Sequence, residues 1–186
     1  VHHATRWIGG LLGLAEDLAA RAPADSRFEP AHTTTNVGVV TGGLARCTVA
    51  GECSFEWEMR PVQRSDAGFV KARMAEVEAG LLAEMRTVHP EAAIETEVVC
   101  EIDGLEWDED SPAIDLMRSL LGGDPPVGMV AYGTEAGLYQ GAGIPSVVWG
   151  PGDIGVAHRP DEYVEVADLA ACLEVLERLP GQLVRR

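Results

Sequence analysis

Residues 33–61 read TTTNVGVVTGGLARCTVAGECSFEWEMRP. The opening stretch, 33–41, is rich in β-branched residues, which suit a pleated surface better than a helix, and reads as a strand. Gly42 and Gly43 supply a turn. A second strand is expected at about 47–60, where Val49, Cys53, Phe55, Trp57 and Met59 hold apolar odd positions and Glu52, Ser54, Glu56, Glu58 and Arg60 the polar even ones. Successive side chains leave a strand on opposite faces, so a period of two means one buried face and one wet face. Pro61, which has no N–H for a ladder, stops the strand. The stretch therefore specifies an antiparallel hairpin with one face to be covered.

The flanking sequence offers the cover. Upstream, residues 1–21 form an amphipathic helix in which Trp7, Leu11, Leu14 and Leu18 recur at helical spacing, ending before Pro23; residues 22–31 are a loop. The chain opens VHHATRWIGG, without Met and without a capping residue, so the expectation is a piece of a longer protein. His2 and His3 point about 100° apart on a helix and cannot share a metal. Downstream, residues 65–88 read as a long helix with Ser65 as N-cap and Met74, Val77, Leu81, Met85 and Val88 as its buried stripe. Residues 93–103 read as a third strand, with Ile94, Thr96, Val98, Cys100 and Ile102 on one face and Glu95, Glu97, Glu101 and Asp103 on the other. Helix, two strands, helix, strand is an α+β layer with one sheet face covered and the other open.

The pattern then changes. GLEWDEDSP, 104–112, is a polar link, and a domain boundary is expected there or just after. Residues 112–121 form a short helix, VGMVAY (127–132) a compact strand of the kind buried on both faces, and 134–143 another short helix. IPSVVWG (144–150) is a second buried strand; a loop covers 151–163, and 166–184 is a closing helix with Leu169, Leu173, Leu176 and Leu179 as its stripe. Alternation of this length implies part of a parallel α/β sheet, and two strands are too few for a complete one. The fold class expected is thus α+β followed by α/β.

Composition narrows function. The 186 residues are 46% hydrophobic and 24% charged, as in ordinary globular proteins. The net charge of −16 is uneven: 9 basic and 12 acidic residues precede position 93, and 5 basic and 18 acidic ones follow it. Such a surface repels phosphate backbones and anionic lipid, which argues against nucleic-acid and membrane partners. The four cysteines, at 47, 53, 100 and 172, form no CxxC pair and read as reduced, mostly buried thiols of a cytoplasmic protein.

No phosphate-binding glycine loop, Gly-x-Ser-x-Gly elbow or HExxH motif occurs. Loops that follow buried strands are where α/β sheets place ligand groups. That singles out Gly133-Thr134-Glu135-Ala136-Gly137 and the segment from Gly150 through His158-Arg159-Pro160-Asp161-Glu162-Tyr163. His158 is either structural or functional; Asp161 and Glu162 stand where they would orient its imidazole from behind. Glu135 at a helix N-terminus serves either a ligand or the helix dipole.

GTEAGLYQGAGIPSVVWGPGDIGVAHRPDEYVEV, 133–166, resembles the C-terminal signature of the acetylornithine deacetylase and succinyl-diaminopimelate desuccinylase family of dinuclear zinc amidohydrolases. The 33–61 hairpin resembles that family's lid, in which a Gly-Gly turn leads to a strand ending Asp/Glu-x-Arg, here Glu58-Met59-Arg60. The resemblance spans the whole chain in order. It implies that 1–105 is most of a dimerising α+β lid, lacking its first strand, and that 106–186 is the last part of a zinc-peptidase-like α/β catalytic domain. It also implies a cytoplasmic homodimer in arginine biosynthesis, two zinc or cobalt ions and a small N-acyl amino acid as substrate. His158 matches the family's final metal-ligand histidine, and neutral imidazole suits zinc. Arg60 matches the lid arginine that binds a substrate carboxylate; the competing reading is an exposed ion pair with Glu58 or Glu56. Thr134 and Glu135 match a substrate-touching loop, the carboxylate facing an ornithine-like ammonium. Cys47 stands near where the family carries a cleft-lining Asn, and Ala50 replaces a frequent Pro.

The family's His-x-Asp, bridging Asp, Glu-Glu pair and lid histidine have no match here, so no catalytic base is expected in this chain. The resemblance implies amide hydrolysis by the full-length parent, most like deacetylation of N-acetylornithine, with weak metal binding at most by this chain alone. The competing readings are a non-catalytic dimerisation and lid fragment, and a desuccinylase or dipeptidase of the same family.

Overall fold

A computed structural model of the chain describes residues 1–183. It divides into two compact units, one of Val1–Glu101 with Met129–Tyr132, the other of Ile102–Gly128 with the residues from Gly133 onward. The first unit holds α1 (His2–Leu12), α2 (Ala15–Ala20), β1 (Thr34–Gly42), β2 (Cys53–Arg60) and α3 (Arg64–Val88).

β1 and β2 pair antiparallel from Thr34↔Arg60 to Gly42↔Cys53. The register shifts between Val37 and Val39, so Gly38 is the extra residue of a bulge. β2 alternates half-buried and exposed residues over its whole length, as its period predicts. It starts at Cys53 rather than 47, however, and residues 43–52 are a loop instead of a glycine turn. That stretch has no apolar alternation to hold it on a sheet, and Leu44 and Val49 stand almost fully exposed. The glycines still have a role. A Cβ on Gly42 would lie 2.8 Å from the Cys53 Sγ, and Gly43 has a φ of +80°, the left-handed region that favours glycine.

The helices cover the inner face. Trp7, Leu11, Leu14 and Leu18 are all buried, with Val70, Met74 and Leu81 of α3 completing the core. The Trp7 ring lies 4.9 Å from Phe55 and 5.5 Å from Trp57, both tilted, which is the favourable offset geometry for aromatic pairs. The expected single helix over 1–21 is broken at Gly13, yet the same four residues stay inward because Leu14 keeps a right-handed helical backbone. α3 begins after Gln63, so Ser65 is not its N-cap. Val77 and Met85 are half-buried, and Val88, expected in the stripe, is exposed at the helix end.

Residues 93–103 form no strand. Ile94 packs against the core, but Val98, Val99, Cys100 and Ile102 are exposed. A strand exists only where another offers donors and acceptors along its edge, and the described residues bring none to this segment.

The second unit holds α4 (Pro112–Leu121), α5 (Ala136–Gly141), a single 3-10 turn at Ile154–Val156 and α6 (Val166–Leu183). α4 opens with proline in its first turn and closes on Gly122, whose φ of +76° makes the left-handed cap. Ile114, Leu120 and Val175 are buried, and Arg178 Nη1 on α6 donates to the Leu120 carbonyl at 3.0 Å. α5 is tied to the 103–106 segment: Gln140 Nε2 donates to the Glu106 carbonyl at 3.0 Å and the Glu106 N–H to Gln140 Oε1 at 2.8 Å.

Here the expectations need more correction. Residues 127–132 and 144–150 are not strands, and the only sheet among the described residues is the β1–β2 hairpin, so the parallel α/β sheet is not formed. Val130, Tyr132, Ile144, Val148 and Trp149 are exposed. Segments built to be buried on both faces need neighbours on both sides, which these residues lack. On α6, Leu169, Leu173 and Leu176 are exposed; Val175 faces inward instead, with Cys172 and Leu179 half-buried. The expected end of that helix, residue 184, lies outside the described residues. Cys47 and Cys100 are exposed thiols and Cys53 and Cys172 half-buried ones, so burial of the cysteines is also corrected. No described helix is long and apolar enough to cross a membrane.

Candidate functional site

In the first unit, Arg60 ends β2 on its wet face, opposite Thr34. Its guanidinium donates from Nε to Glu58 Oε1 at 3.0 Å and from Nη1 to the Ala131 carbonyl at 3.1 Å. Glu58 lies two residues back on the same face, so the strand period itself creates this pair. The pair is exposed on both sides, and such pairs contribute little to stability. An incoming carboxylate would exchange with the Glu58 carboxylate on an exposed guanidinium whose Nη1 is held by a backbone carbonyl.

Cys47 is not near Arg60 along the hairpin. It sits in the exposed 43–52 loop, beyond the Gly42↔Cys53 pair, whereas Arg60 closes the opposite end of the ladder. At about 3.3 Å per residue the eight residues of β2 separate the two ends by roughly 23 Å.

In the second unit, Thr134 Oγ1 accepts the Ala136 N–H at 3.1 Å, the hydroxyl turn that starts α5. Glu135 is the N-cap residue, but its side chain caps nothing and stands exposed. Its backbone carbonyl accepts from Leu138, so the carboxylate is free of the helix it precedes. Gly137, two residues on, is buried against the 103–104 backbone: a Cβ there would fall 2.0 Å from the Asp103 carbonyl oxygen. α5 therefore sits where only glycine permits, and that contact fixes where Thr134 and Glu135 emerge.

His158 follows the 3-10 turn, whose first N–H groups are tied by Asp153 Oδ1 accepting from Gly155 at 2.8 Å. The histidine has a φ of +58° and Asp161 one of +60°, both in the left-handed region that non-glycine residues enter at a cost. Glu162 Oε2 accepts the backbone N–H of His158 at 3.0 Å. The carboxylate expected behind the imidazole thus holds the backbone that carries the ring. The imidazole itself is exposed. Among the described residues no group of three His, Cys, Asp or Glu side chains is placed to hold a metal ion. A lone neutral imidazole suits zinc as one donor, but a stable site needs three or four, so these residues do not complete one.

An open groove of about 370 Å³ lies in the second unit, lined by Leu116 and Met117 of α4, Tyr139 of α5 and Pro145, Ser146 and Val147. It is apolar, and none of the anticipated site residues lines it.

One functional-looking feature went unread in the sequence. Asp66 is 1% exposed and binds Thr33, Arg21 and Gln63. Its signal was present: Asp66, Val70 and Met74 are spaced by four, so a carboxylate lies on the apolar stripe of α3.

The model of Peptidase family M20/M25/M40 matches residues 7–182. An acetylornithine deacetylase from Myxococcus xanthus is 35% identical over 158 residues, which is 85% of this chain and 40% of that protein. An acetylornithine deacetylase from Klebsiella pneumoniae is 28% identical over 172 residues, 92% of this chain and 43% of that one. Among solved structures, aminopeptidase PepT from Bacillus cereus superposes with a TM-score of 0.58 at 22% identity, covering 89% of this chain and 43% of its own, a likeness of fold alone. The chain spans about two-fifths of the length of the curated relatives it matches. A family model matched from residue 7 to residue 182 takes in the hairpin, Arg60, Glu135 and His158 together, and the chain belongs to Peptidase family M20/M25/M40.

Proposed function

We propose that the chain is the lid and the end of the catalytic domain of a metal-dependent amidohydrolase that removes the acyl group of an N-acyl amino acid, N-acetylornithine above all. The observation that carries this is the 35% identity to an acetylornithine deacetylase across 85% of the chain. In this reading Arg60 takes the substrate carboxylate through its planar fork, exchanging it for Glu58. Glu135, its carboxylate unused by the helix, faces the substrate's ammonium group, and Thr134 fixes the turn that presents it. Cys47 in place of an amide alters contact at the cleft or lies outside it. His158 supplies one ligand to a two-metal centre, with zinc or cobalt, whose other ligands this chain does not contain. Such a centre, when bound, lowers the pKa of a water and polarises the amide carbonyl. Two copies associate through the first unit, and the cytoplasm is the place of action.

The test is a substrate panel with the full-length protein. N-acetylornithine should be hydrolysed in preference to N-succinyl-diaminopimelate and to dipeptides. Arg60→Ala should raise KM by about 100-fold, since a hydrogen-bonded charge pair is worth about 1.5–3 kcal/mol. His158→Ala should lower bound metal per chain and activity together. Retention of two metals and full activity by His158→Ala would overturn its role. Preference for a succinylated or peptide substrate would replace the deacetylase by its relatives. The 186-residue chain on its own is expected to hydrolyse none of them; turnover by it would refute the assignment of the base and remaining ligands to residues outside it.

A further inference from the structure

A buried polar network engages the chain two residues after Arg60, at Val62. Thr33 and Asp66 are each 1% exposed. The Thr33 hydroxyl donates to Asp66 Oδ2 at 2.5 Å and accepts the Val62 N–H at 2.9 Å. Asp66 Oδ1 accepts from Arg21 Nε at 2.8 Å and from Gln63 Nε2 at 3.0 Å. Gln63 Nε2 also donates to the Arg21 carbonyl at 3.1 Å, and the Arg21 guanidinium lies over the Phe69 ring at 4.4 Å. Both carboxylate oxygens are used, and the charge is matched by Arg21.

Its location gives it meaning. Thr33 directly precedes Thr34, the ladder partner of Arg60. Pro61 offers no N–H, so Val62 is the first residue after Arg60 that can extend the bonding, and Thr33 captures it. The chain is therefore clamped on both sides of Arg60, before it by the ladder and after it by Thr33. The guanidinium itself is exposed and held only by Glu58 and the Ala131 carbonyl. A buried charge–hydroxyl–amide relay is a costly way to gain stability, since apolar packing often does as well. What it adds is a fixed backbone position for the residue it brackets.

We propose that Asp66 is a positioning residue for Arg60, acting through the Thr33 hydroxyl to fix the strand end from which the guanidinium meets a substrate carboxylate. This rests on the reading of Arg60 as the carboxylate-binding cation.

The test uses the full-length protein and two forms of one N-acyl amino acid, the free acid and its methyl ester, which cannot pair with a guanidinium. Thr33→Val keeps the side-chain shape and removes the hydroxyl. It should raise KM for the acid about 10-fold, leave kcat within about twofold and barely change the ester. Thr33→Ser, which restores the hydroxyl, should recover the acid's KM. A lowered melting temperature with an unchanged acid-to-ester ratio would overturn the proposal and leave the network purely structural. Arg60→Ala separates the two readings. If it leaves the acid-to-ester preference intact, the role of Arg60 fails. If it abolishes the preference while Thr33→Val keeps it, only the positioning role fails. Should Thr33→Val not fold, Asp66→Asn takes its place with the same expected and overturning results.

Discussion

Asp66 gathers three side-chain donors on one buried carboxylate, and residue-scale stability should register it. Asp66→Ala would leave the buried Thr33 hydroxyl and the Arg21 guanidinium without their acceptor, so we expect a loss of about 3 kcal/mol in urea unfolding. A loss under about 1 kcal/mol would show the carboxylate to be dispensable. The apolar residues give a sharper contrast. Leu11 is fully buried, and Leu11→Ala should cost about 3–5 kcal/mol, whereas Leu169→Ala, on the exposed side of α6, should cost well under about 1 kcal/mol. Comparable losses at both would mean that α6 buries the stripe its leucines suggest. Trp7, Leu11, Leu14 and Leu18 were legible from spacing alone. For Asp66 the sequence shows only a carboxylate on the apolar stripe of α3; its partners Arg21 and Thr33 are too distant in sequence to be read from any local period.

At the scale of elements, α1 meets α3 through an exposed ion pair as well as through the core. Arg6 Nη1 donates to Glu84 Oε1 at 2.7 Å. That hydrogen bond, opposed by desolvation and aided by weaker attraction to Arg6 and then His3, holds the Glu84 carboxyl below the ordinary glutamate range. A depressed carboxyl stabilises the fold at pH above its unfolded value, and the contribution is lost as pH falls through the folded one. An NMR titration should find the Glu84 midpoint below the ordinary glutamate range, and Arg6→Ala should return it to that range. An unchanged midpoint in Arg6→Ala would show the pair to be absent in solution. The hairpin has its own checkpoint. Gly42→Ala would push a methyl against the backbone and thiol of Cys53, so it should cost about 1–3 kcal/mol. Gly51→Ala, with open space around it, should cost nothing measurable. The period of β2 and its wet-face Arg60 were legible because alternation is a property of consecutive residues. The loop over 43–52 and the bulge at Gly38 were not, because register is settled between strands rather than within one.

At the scale of the whole molecule, two units differ in how much of their apolar surface finds a partner. The first closes a core between its helices and hairpin, while in the second Leu169, Leu173, Leu176, Val148 and Trp149 are left exposed. Segment 93–103 shows the same deficit, with a strand's alternation and no strand beside it. Amide hydrogen exchange on the chain should show residues 95–100 exchanging at nearly unstructured rates while Phe55 and Trp57 are protected. Equal protection would mean that this segment has found a partner, and the two-stranded sheet would have to be revised. The approximate positions of the helices, the alternation of β2 and the core stripe of α1 and α2 were determined by the sequence itself. Each of them rests on spacing among neighbours or on a local motif. The tertiary structure alone decided which strand-like segments are strands, and that Glu162 grips the backbone of His158 rather than its ring. It alone joined Arg21, Thr33 and Asp66, which are separated by up to 45 residues. Pairing across such distances depends on which surfaces the folded chain brings together, and no local period encodes that.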